Sequence, residues 1–370
     1  MSLSYPSRRV LAGLALALFT AACSDSTAPT FSDPGAISAE LERVDAAFTS
    51  ATYESFSNLS GFMAPGGGPM ASAMLGAFQP EAMLEQDQPR AAAAAKSLRA
   101  MIPRLSGPQL SPIIHDTLLG RVYVWDATAG YYVHDNSQTG PANGVRFILY
   151  AVDPNTALPT TPLTPVGRAD VLDLSTGPTA LSLRVLVQNA AGSTTYLDYT
   201  ASVTAGTNSF GASVTGFVAN GLSAPADRRL DYTISFSATE TATTADVSAD
   251  AAFDVSGSSV SLEVHDDAHF AGNTITFSRD FRFHRPGETV TVAGSLTFTE
   301  TATGYSITGQ VAIRINGAVF VTVTFAGENA TPSRELSQEE QGVVLVLLDA
   351  LEDVWDSIED FFDPLDLFAA

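Results

Sequence analysis

Between Leu118 and Phe325 apolar residues alternate with small polar ones, and Gly, Asn and Asp break the alternation at short intervals. A period of two places successive side chains on opposite faces of a strand. The first strands are Arg121 to Asp126 and Tyr131 to Asp135, a hairpin about an Asp-Ala-Thr-Ala-Gly turn, then Val145 to Val152. Asp153 to Gly167 carries Pro154, Pro159, Pro162 and Pro165, so it is expected to be a loop or a poor edge strand. Leu181 to Asn189, Thr194 to Ala205, Ser209 to Ala219, Leu230 to Thr239 and Ala245 to Val255 follow. Ser259 to His265, Thr274 to His284, Thr289 to Thr299, Tyr305 to Ile315 and Val319 to Phe325 complete the series. One face is Val, Ile, Leu and Phe and the other mainly Thr and Ser, the signature of antiparallel sheet with one buried and one wet face. Strands joined this closely leave no room for βαβ crossovers, which excludes a Rossmann-type cofactor site.

Parity of the apolar positions constrains the pairing. Val311, Ile313 and Ile315 share a face, as do Val319, Val321 and Val323. A two-residue turn at Asn316-Gly317 would set Ile313 against Phe320 and split the two rows. A three-residue loop, Ile315 to Gly317, pairs Ile313 with Val319 and keeps them together, and is the register expected. The same arithmetic sets Phe298 opposite Tyr305 across an even-numbered loop at Thr301-Ala302. The string Thr-Glu-Thr-Ala-Thr occurs at 239–243 and 299–303, through a duplicated meander or by coincidence.

Helical spacing replaces alternation at both ends. Asp33-Pro34 is a helix start, and Ile37, Leu41, Val44, Phe48, Thr52, Phe56 and Leu59 lie on one helical face. Met70 to Leu84 and Arg90 to Ile102 are expected as further short helices. Near the C-terminus, Ser337-Gln338-Glu339-Glu340 is a capping box. Val344, Leu348, Leu351, Trp355, Ile358 and Phe362 then line one face, with acids on the other. The fold expected is mainly β: a large antiparallel meander, a curved half-barrel or a sandwich, with N-terminal helices and a C-terminal amphipathic helix packed on the sheet. Helix in a curled sheet resembles, in architecture alone, the half-barrel lipoproteins that carry lipids or lipoproteins across the periplasm.

The first residues follow a different logic. Arg8 and Arg9 precede an apolar run from Val10 to Ala21, too short to span a bilayer but suited to a secretory leader. It ends in Thr20-Ala21-Ala22-Cys23, at the chain's one cysteine. This resembles the lipobox of bacterial lipoprotein precursors, with Thr20 where Leu is usual. The resemblance implies cleavage before Cys23, acylation of its sulfur and a membrane anchor through that lipid. An ordinary secretory signal cut after Ala22 would instead leave a free thiol. Ser24 does not resemble an inner-membrane retention Asp, which favours the outer membrane over the inner as the expected location. The organisation expected is a signal peptide at 1–22, a polar tether at 23–32, a helical region at 33–117, a β body at 118–334 and an acidic helix at 335–370.

Chemistry is sparse. A net charge of −22 argues against nucleic acid, and one cysteine excludes an internal disulfide. Glu335 to Ala370 holds eleven of the acids and no base. No nucleophile elbow, phosphate loop or zincin motif is present. His265, Asp266, Asp267 and His269, with His284 about one strand away, form the one cluster to weigh for a divalent metal; they sit at the end of an expected strand, where such residues are commonly just a solvated turn. The expectation is therefore a non-enzymatic envelope lipoprotein without cofactor, binding a lipid or other apolar ligand between sheet and helices. That reading requires an open cavity lined by residues such as Phe277, Phe281, Phe298 and Ile313. The alternative is a structural or adhesive protein-interaction module, with an exposed aromatic patch near Tyr131 and Tyr132. A hydrolase would need Ser, His and acid to converge in a cleft.

Overall fold

The computed structural model describes residues 29–32, 46–59, 114–177, 180–301, 304–327, 329–338, 340–342 and 344. The leader, Cys23, the expected helices at 70–84 and 90–102, and the C-terminal helix beyond 344 lie outside them. The β body is one open sheet of 15 strands. Its strands are β1 (Arg121–Asp126), β2 (Tyr131–His134), β3 (Gly144–Tyr150), β4 (Pro165–Asp173) and β5 (Ala180–Asn189). Then come β6 (Thr195–Ala205), β7 (Ser209–Ala219), β8 (Arg229–Glu240), β9 (Thr244–Val255) and β10 (Ser261–Ala271). The series ends with β11 (Thr274–Arg285), β12 (Glu288–Thr301), β13 (Gly304–Ile315), β14 (Ala318–Gly327) and β15 (Asn329–Pro332).

From β3 to β15 every strand pairs antiparallel with its neighbour in the chain. The exception to the expected antiparallel pattern is β1, which lies parallel to β3 and carries β2 on its outer side. The edge strands β2 and β15 are four residues each, and β15 ends in Pro332. Short, proline-marked edges offer little ladder to another chain. No helix among the described residues is long and apolar enough to cross a membrane, which does not bear on strands.

Tyr199 on β6, Gly216 on β7 and Tyr232 on β8 lie side by side on the apolar face. Both tyrosines are buried, and desolvation pushes their hydroxyls well above the ordinary range. A Cβ at Gly216 would fall 2.3 Å from the Asp198 carbonyl oxygen, so only glycine permits this approach. Two aromatic side chains flanking a strand glycine restore the packing that it lacks. The apolar face as a whole forms one hydrophobic cluster that includes Phe31, Phe56, Ile114 and Leu336.

Four sequence expectations are corrected. The region from Asp153 to Gly167 is not loop throughout, because β4 starts at Pro165 and sits between β3 and β5. Proline is tolerated there as the first residue of the strand. The helical face from Ile37 to Leu59 is not one helix: Ala46–Phe48 is a 3₁₀ turn and α1 (Ala51–Ser57) starts afresh. Ser50 is extended and its Oγ accepts the Tyr53 N–H at 3.0 Å, so a local serine bond replaces helix continuation. Thr52, Phe56 and Leu59 remain buried. The small Gly167 on β4 makes room for α1, since a Cβ there would meet the Thr52 methyl at 2.4 Å.

The third correction concerns β13 and β14. Asn316 and Gly317 both have positive φ, 50° and 81°, as the tight two-residue hairpin turn requires. Ile315 pairs with Ala318 and Arg314 with Val319, and a bulge then sets Ile313 against Val321 and Val311 against Val323. Val321 and Val323 thus share the face of Ile313 and Val311, through a bulge rather than a three-residue loop, while Val319, opposite Arg314, is left exposed. Fourth, Phe298 pairs with Ile307 rather than Tyr305, two residues from the expected register, so its face is unchanged. The two Thr-Glu-Thr-Ala-Thr strings occupy equivalent hairpins: Glu240 pairs with Ala245, and Glu300 with Tyr305.

Candidate functional site

β10 does not end at His265; it runs on to Ala271, with Asp266, Asp267 and His269 inside it. Strand alternation therefore divides the expected metal group. His265, Asp267 and His269 stand exposed on the polar face, while Asp266 is buried on the apolar face.

On the polar face the side chains form a ladder with β9. His265 Nδ1 lies 2.6 Å from Asp250 and Nε2 2.9 Å from Asp267. His269 Nδ1 lies 2.5 Å from Asp246. The Asp250 hydrogen bond, against a smaller desolvation effect and aided by the Asp267 charge, raises the His265 pKa above the usual histidine value. In the protonated form both ring nitrogens donate, one to each carboxylate. His284 is turned away to Thr289, at 2.9 Å. Among the described residues no three His, Cys, Asp or Glu side chains converge as a metal-holding group.

Asp266 instead meets Arg279 of β11, its partner across the strands. Arg279 Nε donates to Oδ1 at 2.8 Å and Nη2 to Oδ2 at 2.6 Å, a two-pronged pair. A second buried pair, Arg285 with Glu288, flanks the β11–β12 turn. Glu288 Oε1 also accepts the Ser32 N–H at 2.8 Å, and Arg285 Nη2 donates to Ser32 Oγ at 2.9 Å. Phe31 packs on Phe320 of β14 with ring centroids 5.1 Å apart. This junction ties the start of the described chain to the sheet, 256 residues away. Nothing in the local sequence marks it, because its partners are so far apart.

The apolar residues proposed as a cavity lining are enclosed: Phe277 is 3% exposed, Phe281 1%, Phe298 7% and Ile313 6%. Tyr131 is exposed, but Tyr132 is buried between Trp125 and Phe147, and its hydroxyl donates to the Ile148 carbonyl at 3.1 Å. Desolvation pushes the Tyr132 pKa up. His115 and His134 take no part in the β10 ladder; His115 caps a 3₁₀ turn, its ring accepting the Thr117 N–H.

The capping box is formed as the sequence indicates. Glu340 accepts the Ser337 N–H at 2.8 Å and its own N–H donates to Ser337 Oγ at 3.2 Å. Arg334 adds a hydrogen bond to Glu340 at 2.9 Å and stacks over Phe320. Burial pushes the Glu340 carboxyl up, but the bonds from Arg334 and Ser337 outweigh it and leave the pKa lowered. No family model, curated protein or solved structure matches the chain.

Proposed function

We propose that this is a lipid-anchored bacterial envelope protein, held at the outer membrane through Cys23, whose β body works as a non-enzymatic structural or protein-interaction module. The observation that favours this over ligand carriage is the near-complete enclosure of Phe277, Phe281, Phe298 and Ile313. A carrier of apolar molecules needs that surface open. The face left to solvent is a field of Ser, Thr and Asp crossed by His265, His269 and Arg282, chemistry suited to polar contact with another macromolecule.

In this reading the sheet curls over its apolar face, and the N- and C-terminal helices complete the cover. A sheet of this many strands ordinarily curls or splits. Support comes from interior glycines such as Gly294 and Gly309, where a Cβ would lie 2.2 Å and 2.1 Å from a neighbouring carbonyl oxygen. The test is native mass spectrometry of the mature chain purified with its leader processed. The expected species is protein plus covalent acyl chains; a stoichiometric non-covalent lipid would overturn the module reading in favour of carriage.

A further inference from the structure

Antiparallel strands in sequence order bring alternate connections to the same end of the sheet. The turns after β1, β3, β5, β7, β9, β11 and β13 share one end, β1 joining them because it runs parallel to β3. The junction of Phe31 and Ser32 with Phe320, Arg285 and Glu288 is at this end, beside the β11–β12 and β13–β14 turns. We infer that this end of the sheet lies against the phospholipid surface and inserts apolar loop tips into it, an inference that rests on the lipid anchor at Cys23.

Chain length keeps this end near the membrane. Phe31 is eight residue steps from Cys23, so the anchor reaches at most about 28 Å from the junction. β12, with 14 residues, is about 46 Å long. An acylated Cys23 in the bilayer therefore keeps the junction end within reach of the lipid, a constraint that the tether does not place on the far end of β12.

The surface of that end fits a bilayer. Of the large apolar side chains left exposed among the described residues, Tyr131, Leu158, Leu163, Leu222 and Val319 are in or beside its connections, and Leu174 is at the opposite end. The β7–β8 connection is built to present Leu222. Asn220, buried, accepts the Leu222 N–H at 3.1 Å and the Arg228 N–H at 3.0 Å, and donates to the Ala226 carbonyl at 3.0 Å. The loop is thus closed on one side chain while its leucine stands 60% exposed. Arg228 flanks it and, among the described residues, hydrogen-bonds to the Pro225 and Asp227 carbonyls rather than to a carboxylate. Its charge is free to meet lipid phosphate beside the leucine.

The sequence has one cysteine, which acylation blocks, so a second cysteine provides a unique labelling site. Full-length protein carrying Leu222→Cys or Leu174→Cys is matured through its leader, labelled with an environment-sensitive fluorophore and reconstituted into phosphatidylethanolamine–phosphatidylglycerol vesicles. Both positions are exposed, so neither change disturbs the core. The label at 222 should shift to the blue and be quenched several-fold more by spin-labelled lipid than the label at 174. Equal quenching at the two positions, or a label at 222 that stays in water, overturns the inference; the second result would point to a protein partner for this end. Intact mass separates the premises: an unacylated chain with two reactive thiols overturns the anchor and this inference together, whereas an acylated chain with a wet Leu222 position overturns the inference alone.

Discussion

Asp266 and Asp267 are adjacent in sequence and should respond to the same substitution in opposite ways. The Asp266 side chain is 4% exposed and that of Arg279 9% exposed, joined by two short hydrogen bonds on the apolar face. Asp266→Ala strands a buried guanidinium, and breaking a buried pair from one side typically costs about 3–5 kcal/mol. That is a large part of the ~5–15 kcal/mol by which a domain is stable. The Asp267 side chain is 50% exposed and shares His265 with Asp250, so Asp267→Ala should cost no more than about 1 kcal/mol. The assay is urea unfolding followed by tryptophan fluorescence and by circular dichroism, with coincident transitions required before free energies are compared. Replacing the pair together, Asp266→Leu with Arg279→Met, should recover most of the loss, because an apolar pair of similar volume suits that face. Equal midpoints for Asp266→Ala and Asp267→Ala would refute the division of β10 into two faces. A double variant as unstable as the single one would refute the account of the pair.

Three further outcomes follow from the geometry. Gly309→Ala should destabilise by about 1–3 kcal/mol or more, because φ there is +138° and the new Cβ would lie 2.1 Å from the Ser295 carbonyl oxygen; thermal unfolding reads this directly. Ser50→Ala removes the α1 cap and should cost about 1 kcal/mol by denaturant midpoint. The raised His265 pKa means its carboxylate contacts contribute fully below the ordinary value of 6.5 and are lost as pH climbs through the higher folded value. Asp250→Asn should return the imidazole titration, followed by NMR, towards 6.5, and an unmoved titration would show that Asp250 is not the cause.

The alternation of apolar residues was enough to find most strands, since a half-buried sheet imposes its period on the sequence. It failed where other forces set the residue. Asp266 occupies an apolar position in the β10 alternation because Arg279, thirteen residues on, neutralises it, and read without that partner the apolar alternation stops at His265. β4 was hidden by Pro165 and by Arg168 and Asp170, which find partners in Gln188 and Arg146 on the adjoining strands. Parity puts Ile313 on one face with Val321 and Val323, but a bulge and a longer loop both achieve that, so the register and the exposed side of Val319 were beyond it. The break before α1 was invisible because the helical spacing of Phe48, Thr52 and Phe56 continues across Ser50. The capping box was legible because both partners lie within four residues.

Because β3 to β15 pair in chain order, the ladder can be assembled by adding one hairpin at a time, most of them closing a loop of a few residues, with residues 151–164 between β3 and β4 the longest. Such local closure is the entropically cheap route for an all-β chain, whose folding is usually slowed by distant pairings. The contact of Ser32 with Arg285 and Glu288 is of the opposite kind, because it closes more than two hundred residues and needs β11 and β12 already in place. It belongs late in folding, as a latch set after the ladder is built. Substitutions at Ser32 should then leave the refolding rate nearly unchanged and speed unfolding.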